Sequence, residues 1–376
     1  MPYTVAKLDG LKNREITMSK VNKTYGSVSL SDAANVIASI GDRVTCLFTG
    51  EMGIGKSSML GVLKERFPTH KPVYLEAQLL DLGDLQMPRF AEVNNNPVVS
   101  FVPNEALGVH EDKPIILMLD ELGKASKSVL NALLRIMLER KIGDKSLPEG
   151  SMVFATTNMA LEGLGDNIPA HARNRLCQMK IRKPSAMEWV EDYGINAGVH
   201  PVILGAAIEF PQMFESFENV EDPNMNHYIF HPKSPRTAFV TPRSLEKASD
   251  ILKSTEHLPD DVRIHALMGT VGEAAAMDIL TLVKLNDTLP SWEAVIKNPE
   301  DTKIPKGAAA SCMMTAKAVQ RVERDTFNAW MTYVVRLPKE VQALFARSVM
   351  RSAKVSIATT HRGFTEWASA NSFMFS

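Results

Sequence analysis

Val44-Thr-Cys-Leu-Phe-Thr-Gly-Glu-Met-Gly-Ile-Gly-Lys-Ser-Ser58 is the stretch from which the rest of the chain can be read. Its first part, Val44 to Phe48, is a short apolar run of the kind that forms a buried strand. Gly50, Gly55, Lys56 and Ser57 then follow at the spacing G-x-x-x-x-G-K-[ST], the pattern of a loop that cradles phosphates. After Ser57 the pattern turns helical, with Met59, Leu60, Leu63 and Phe67 on one face. Strand, glycine loop and helix in this order are the context that the motif needs.

The chemistry explains the residue types. A triphosphate needs many donors close together, and glycines let backbone N–H groups approach it with no Cβ in the way. The helix that begins near Lys56 adds the positive end of its dipole. Lys56 supplies a point charge for the β- and γ-phosphates, and Ser57 offers a hydroxyl to Mg²⁺. Gly50, Glu51, Met52, Gly53, Ile54, Gly55, Lys56, Ser57 and Ser58 are therefore the expected nucleotide-binding residues. A glycine-rich turn with a chance Lys-Ser is the plainer alternative, and the flanking strand and helix argue against it.

The chain has 376 residues, 45% hydrophobic and 23% charged, with a net charge of −1. That is the composition of an ordinary globular protein with room for two or three domains. The near-neutral balance offers no overall attraction to nucleic acid or membrane. Cys46, Cys177 and Cys312 are few, odd in number and far apart in sequence. They read as reduced thiols in a cytoplasmic protein and not as a disulfide framework. No apolar run reaches membrane-spanning length, and the first residues lack the apolar core of a secretion signal.

Residues 1–42 read as a lead-in, with a short helix from Ser29 to Ile40 capped by Ser29 or Ser31. Past the glycine loop and its helix, Pro72 breaks the chain before a strand over Val73 to Ala77. Arg89–Val93 and Val98–Val102 flank an Asn/Pro turn and read as a hairpin, either a functional insertion or an inert surface loop. Ile115-Ile-Leu-Met-Leu119 is a buried strand tipped by Asp120 and Glu121. Downstream of a phosphate loop, that arrangement gives Asp120 to Mg²⁺. It gives Glu121 to the attacking water, which argues for hydrolysis over transfer to another acceptor. The plainer alternative is two acids opening the next helix. That helix, over 125–140, carries the stripe Val129, Leu130, Leu133, Leu134 and Met137.

A polar turn over 141–150 precedes a fourth strand, Ser151 to Thr157, ending at Asn158. Asn158 suits either a contact to the γ-phosphate or lytic water, or a simple turn. Arg173 and Arg175 come before a fifth strand, Cys177 to Ile181. Either one suits a finger into a neighbouring subunit's γ-phosphate or a surface ion pair. From Lys183-Pro184 the pattern becomes helical. Thr241-Pro242 opens a strong helix whose first turn carries Arg243, against the helix dipole. An anion sensor and a local ion pair are both open for it. Residues 301–376 hold 11 Lys or Arg against 5 Asp or Glu, a mildly basic tail. His227 and His231 lack the glutamate and the helix of a zinc motif. The Asn-Lys-x-Asp signature of a GTPase is absent after the third strand.

Taken together, Gly50 to Ser57, Asp120-Glu121, Asn158, Arg173/Arg175 and then Arg243 in a helical segment make the chain resemble an AAA+ ATPase. Three stretches, Leu119–Leu134, Ala155–Asn158 and Ile168–Leu176, resemble the MoxR-type branch, often carried by phages and bacteria. The resemblance covers roughly residues 25–255. It implies an α/β fold with a P-loop AAA+ core, a five-stranded parallel sheet of order 5-1-4-3-2, a helical lid and a mostly helical C-terminal region. The implied boundaries are 1–42, 43–183, 184–258 and 259–376.

The same resemblance makes Asn158 the first sensor, Arg175 the arginine finger with Arg173 as second choice, and Arg243 the second sensor. Leu176 departs from the usual Phe, and Ser244-Leu245 departs from the usual Ala after the second sensor. The hairpin and the 141–150 turn fall where this branch carries inserts facing a ring's central pore. The function implied is ATP hydrolysis with Mg²⁺ in a homo-oligomeric, hexameric ring that remodels a protein client in the cytoplasm of a bacterium or phage-infected host. The alternatives are a DNA-acting motor or loader, supported by the basic tail, and a slow nucleotide-gated scaffold.

Overall fold

The computed structural model describes residues 26–159 and 168–374. Most of the expected lead-in, residues 1–25, lies outside them. In chain order the strands are β1 (Ser27–Val28), β2 (Cys46–Thr49), β3 (Lys71–Glu76), β4 (Gln86–Val93), β5 (Asn96–Pro103), β6 (Ile115–Asp120), β7 (Lys141–Ile142), β8 (Lys145–Ser146), β9 (Met152–Thr157) and β10 (Cys177–Ile181). Six of them form one parallel sheet of order β1-β10-β2-β9-β6-β3. The five strands read from the sequence thus stand in the order 5-1-4-3-2. The sixth, β1, is an addition: two residues that pair with Lys180 and Ile181 outside β10.

Apolar runs make the central strands because both sheet faces are covered. Alternation sends successive side chains to opposite faces. Leu117, Leu119, Val153 and Ala155 pack on one side against Val129, Leu130, Leu133, Leu134 and Met137. Those five belong to α4 (Lys127–Glu139), which Ser126 caps through Val129 N. Ile116, Met118, Met152 and Phe154 pack on the other side against α1 (Leu30–Ile40) and α2 (Ser58–Arg66). Ser29 caps α1 by accepting from Asp32 N at 3.0 Å. Two short helices, α3 (Leu82–Leu85) and α5 (Ala170–Arg173), complete this half.

Pro72 does not break the chain before β3 but lies within it, paired with Ile116. It is tolerated because β3 is the outermost strand of the sheet, where a missing N–H removes no ladder bond. The β4–β5 hairpin is longer than the sequence reading. It turns at Asn94 and Asn95, with φ of +52° and +62°, the left-handed pair that a two-residue hairpin requires. Its apolar side chains point outward, with Phe90 85% and Met87 53% exposed. The 141–146 hairpin holds its base. Asp144 N donates to Phe101 O at 2.9 Å, and the Asp144 carboxylate accepts from Phe101 N at 2.7 Å.

The helices of the second half are α6 (Ala186–Trp189), α7 (Pro201–Glu209), α8 (Pro242–Ser254) and eight more from α9 (Asp260–Val271) to α16 (Arg362–Ala370). They share one apolar core that includes Trp189, Leu204, Leu245, Met313, Trp330 and Phe345. The helical pattern past Lys183-Pro184 is interrupted early by a π-helical turn, Val190–Gly194. That wide turn presents Glu191 to Arg347 at 3.0 Å and Asp192 to Arg351. With Arg336 on the Thr302 carbonyl and Lys354 on Glu323, several of the tail's cations are held within the fold. No helix among the described residues is long and apolar enough to cross a membrane.

Arg182, just past β10, makes a bidentate pair with Glu188 of α6. Arg182 and the Ser185 N–H hold the Glu188 carboxyl down to about 2. A depressed carboxyl stabilises the fold above its unfolded value and loses that contribution as pH falls through the folded one. Stability is therefore expected to drop between pH 4.5 and about 2. Glu188→Gln is expected to flatten that window in urea titrations. The effect is modest because both side chains are about a third exposed.

Candidate functional site

β2, β6 and β9 are neighbours and run parallel, so the residues after their last positions meet at one edge of the sheet. That edge holds Gly50 onward, Asp120-Glu121 and Asn158. It is the carboxyl edge, where open α/β sheets place their ligands. Gly50 N donates to Thr157 O at 3.3 Å, which fixes the loop's start on β9. A Cβ on Gly50 would lie 2.9 Å from Ile54 Cδ1 and 3.1 Å from Ile181 O, so the loop closes this tightly only with glycine there.

Lys56 is 7% exposed. Its ammonium donates to Gly50 O at 2.9 Å, Glu51 O at 2.8 Å and Asn158 Oδ1 at 2.7 Å. Asn158 turns its amide nitrogen to Glu121, 2.8 and 3.0 Å from the two carboxylate oxygens. Glu121 also pairs with Lys124 at 2.8 Å. A single chain of contacts therefore links the phosphate-loop lysine to the glutamate through Asn158. Glu121 takes a left-handed conformation, φ +55°, an uncommon one for a side chain of its size. Such strain is characteristic of functional positions.

Asp120 is 8% exposed. It accepts from the Thr156 hydroxyl, from Tyr74 OH at 3.0 Å and from Glu121 N at 3.0 Å. Burial and the Asp120 charge push the Tyr74 hydroxyl above its usual range, and nearby Arg243 opposes them. Thr156 and Tyr74 were missed in the sequence. Thr156 was within reach of it, since residues two apart on a strand share a face and Asn158 follows by two. Tyr74 carried no such signal. Thr156→Val keeps the shape of this fully buried side chain and removes its donor to a charged group. It is expected to cost about 1.5–3 kcal/mol of stability, read from denaturant unfolding.

Ser57 stands at the start of α2 with its side chain capping nothing, so its hydroxyl is free for a ligand on that score. Ile54 points into the core, 2% exposed. Glu51 presents its backbone to the loop, while its side chain faces the 211–219 segment. Burial raises the Glu51 carboxyl, with Lys183 and a hydrogen bond from Ser216 pulling the other way.

The helical half touches this edge through the start of α8. Thr241 caps α8 through Ser244 N at 3.0 Å, and Arg243 N donates to Gly53 O at 3.2 Å. Gly53 has φ +70°, and a Cβ there would sit 2.7 Å from Thr241 Oγ1. Gly53→Ala is therefore expected to loosen this junction and lower stability by about 1–3 kcal/mol, measurable by urea unfolding. Arg243 is exposed, with its backbone held beside the loop by the bond to Gly53 O.

Arg173 and Arg175 do not join this cluster. β10 is parallel to β2 with Cys177 beside Cys46, so both arginines precede the amino edge. Four strand residues separate the edges by roughly 13 Å. Both are exposed. The geometry thus places Lys56, Asp120, Glu121, Asn158 and the start of α8 together and the arginines apart.

No protein-family model matches the chain, and no curated protein matches it. Several solved structures are similar to it at low identity. The Thermotoga maritima RuvB Holliday junction branch migration motor is 12% identical with a TM-score of 0.34, over 82% of this chain and 86% of that one. NtrX from Brucella abortus in complex with ADP is 14% identical with a TM-score of 0.33, over 90% and 68%. A full-length MCM homolog from Methanopyrus kandleri is 14% identical with a TM-score of 0.29, over 68% and 54%. Overlaps this weak carry no weight for what this chain binds or does.

Proposed function

We propose that the protein is an AAA+ ATPase of MoxR-like type that works as a closed homo-oligomeric ring, hexameric by resemblance, and remodels a protein client. The observation that carries this reading is the contact chain Lys56–Asn158–Glu121 beside the buried Asp120, at the carboxyl edge of the sheet. These are the groups that phosphoanhydride hydrolysis needs, in one place.

The residues fit the reaction in the following way. The glycine loop and the start of α2 offer backbone donors to the phosphates. Lys56 already converges on the loop's own carbonyls and exchanges one of those contacts for a phosphate oxygen. Mg²⁺, which the donor set of Ser57 and the pre-oriented Asp120 suits, would supply charge neutralisation on the phosphates. Glu121, aimed by Asn158 and Lys124, accepts the proton of the attacking water. Arg243 sits beside the loop on the helical lid, where it senses the nucleotide. Arg175 lies at the far edge of its own subunit's sheet, and its exposure there supports a role in the neighbouring subunit's site. Head-to-tail contacts of this kind generate a ring when the rotation between subunits closes. The domain limits 43–183, 184–258 and 259–376 belong to the same reading.

The exposed apolar β4–β5 hairpin supports a polypeptide client. The internal pairing of Arg347, Arg351 and Lys354 takes away part of the support for DNA. The test is ATP turnover with Mg²⁺ in the presence of casein, as an unfolded polypeptide, or of duplex DNA. Stimulation by casein that Phe90→Ala abolishes is expected. Stimulation by DNA alone would select the motor reading, and no ATP binding at millimolar nucleotide would reject both.

A further inference from the structure

Two of the three cysteines, 131 positions apart in sequence, are side by side in the fold. Cys46 opens β2 and Cys177 opens β10, and the two are direct register partners in the parallel ladder. Register partners on adjacent parallel strands point to the same face of the sheet. Strand spacing of about 4.8 Å lies inside the Cα separation of roughly 4.4–6.8 Å that a disulfide spans. We propose that Cys46 and Cys177 form a reversible cross-strand disulfide by exchange with a low-molecular-weight disulfide.

The surroundings divide the roles. Cys46 is fully buried, and burial together with the facing Cys177 pushes its thiol up to about 12. A thiol so placed does not begin an exchange reaction. Cys177 is half-buried at the start of its strand, packed against the apolar cluster that contains Cys46, and is the more accessible of the two. Arg140 ends α4 in a left-handed conformation, φ +56°. It donates through Nη2 to Gly41 O at 3.0 Å, while its buried Nη1 has no hydrogen-bond partner. Its charge acts on Cys46 and favours the thiolate. Cys312, buried among the C-terminal helices, has no cysteine beside it and serves as an internal control.

The chemistry balances in two exchanges. The Cys177 thiolate attacks one sulfur of oxidised glutathione, forms a mixed disulfide and expels one glutathione thiolate. The Cys46 thiolate, formed beside Arg140, then attacks the Cys177 sulfur and expels the second glutathione thiolate. Two protein thiols are oxidised, one glutathione disulfide is reduced to two thiols, and the two protons leave with them. The bond ties the strand that feeds the phosphate loop to the strand entered from Arg173 and Arg175.

The test is thiol mapping of the full chain after incubation with oxidised glutathione, acid quench, denaturing alkylation and peptide mass spectrometry. Cys46 and Cys177 are expected to lose alkylation together and appear as one linked peptide within a single chain, short by two hydrogens. Cys312 should stay alkylated, and dithiothreitol should restore both others. In Cys46→Ala the mixed disulfide at Cys177 should persist, and in Cys177→Ser Cys46 should remain unreactive. A stable glutathione adduct on Cys177 of the native chain with Cys46 still free would overturn the proposal. So would links found only between isotopically distinct chains, or no reaction at Cys177.

Discussion

Glu121→Gln is expected to bind ATP as the native chain does and to turn it over about 10²–10⁴-fold more slowly, the usual contribution of a positioned general base. The carboxylate is held by Asn158 at 2.8 Å and Lys124 at 2.8 Å. A glutamine there keeps the length and removes the site that takes the proton. Binding should persist because Lys56 and the glycine loop are untouched. Phosphate release and the fluorescence of a bound ATP analogue separate the two effects. Native turnover in this variant would remove Glu121 from the chemistry and leave its strained backbone without a functional account.

Arg175→Ala is expected to lose about 10³–10⁵-fold in turnover, the scale measured for arginine fingers. Its own nucleotide affinity should be preserved. The reason is position: the residue precedes β10 at the amino edge, while the phosphate loop leaves β2 at the carboxyl edge. Mixing gives the sharper result. On the proposed roles, Lys56→Ala subunits should fail to hold nucleotide but still offer Arg175, and Arg175→Ala subunits should be the reverse. Each alone should be inactive, and mixed assemblies should regain part of the native rate. If only Arg173→Ala shows the loss and the rescue, the finger is Arg173.

Five strands of the sheet were legible as apolar runs, three of them followed by a chemically telling residue, Gly50, Asp120 or Asn158, while their order followed from the AAA+ resemblance and not from the runs themselves. The stripe on α4 was legible because a period of 3.6 sorts five residues to one face, and all five are buried. What escaped depends on contacts across the sheet. β1 is two residues long and carries no pattern of its own. Pro72 reads as a breaker until β3 is known to be the outermost strand. Tyr74 reaches Asp120 only through the β3–β6 register. Gly53 looks like an unconstrained position of the motif, yet Thr241, 188 residues later, is what excludes a side chain there. The cysteines read as isolated because sequence separation hides the one register pair that joins two of them.

Turnover per chain measured against protein concentration, with mass photometry on the same samples in ATP, tests the central claim most directly. If one subunit holds the nucleotide and its neighbour's Arg175 completes the site, turnover per chain rises steeply as rings assemble and then levels off. Turnover that stays constant down to concentrations where only single chains are counted would contradict it.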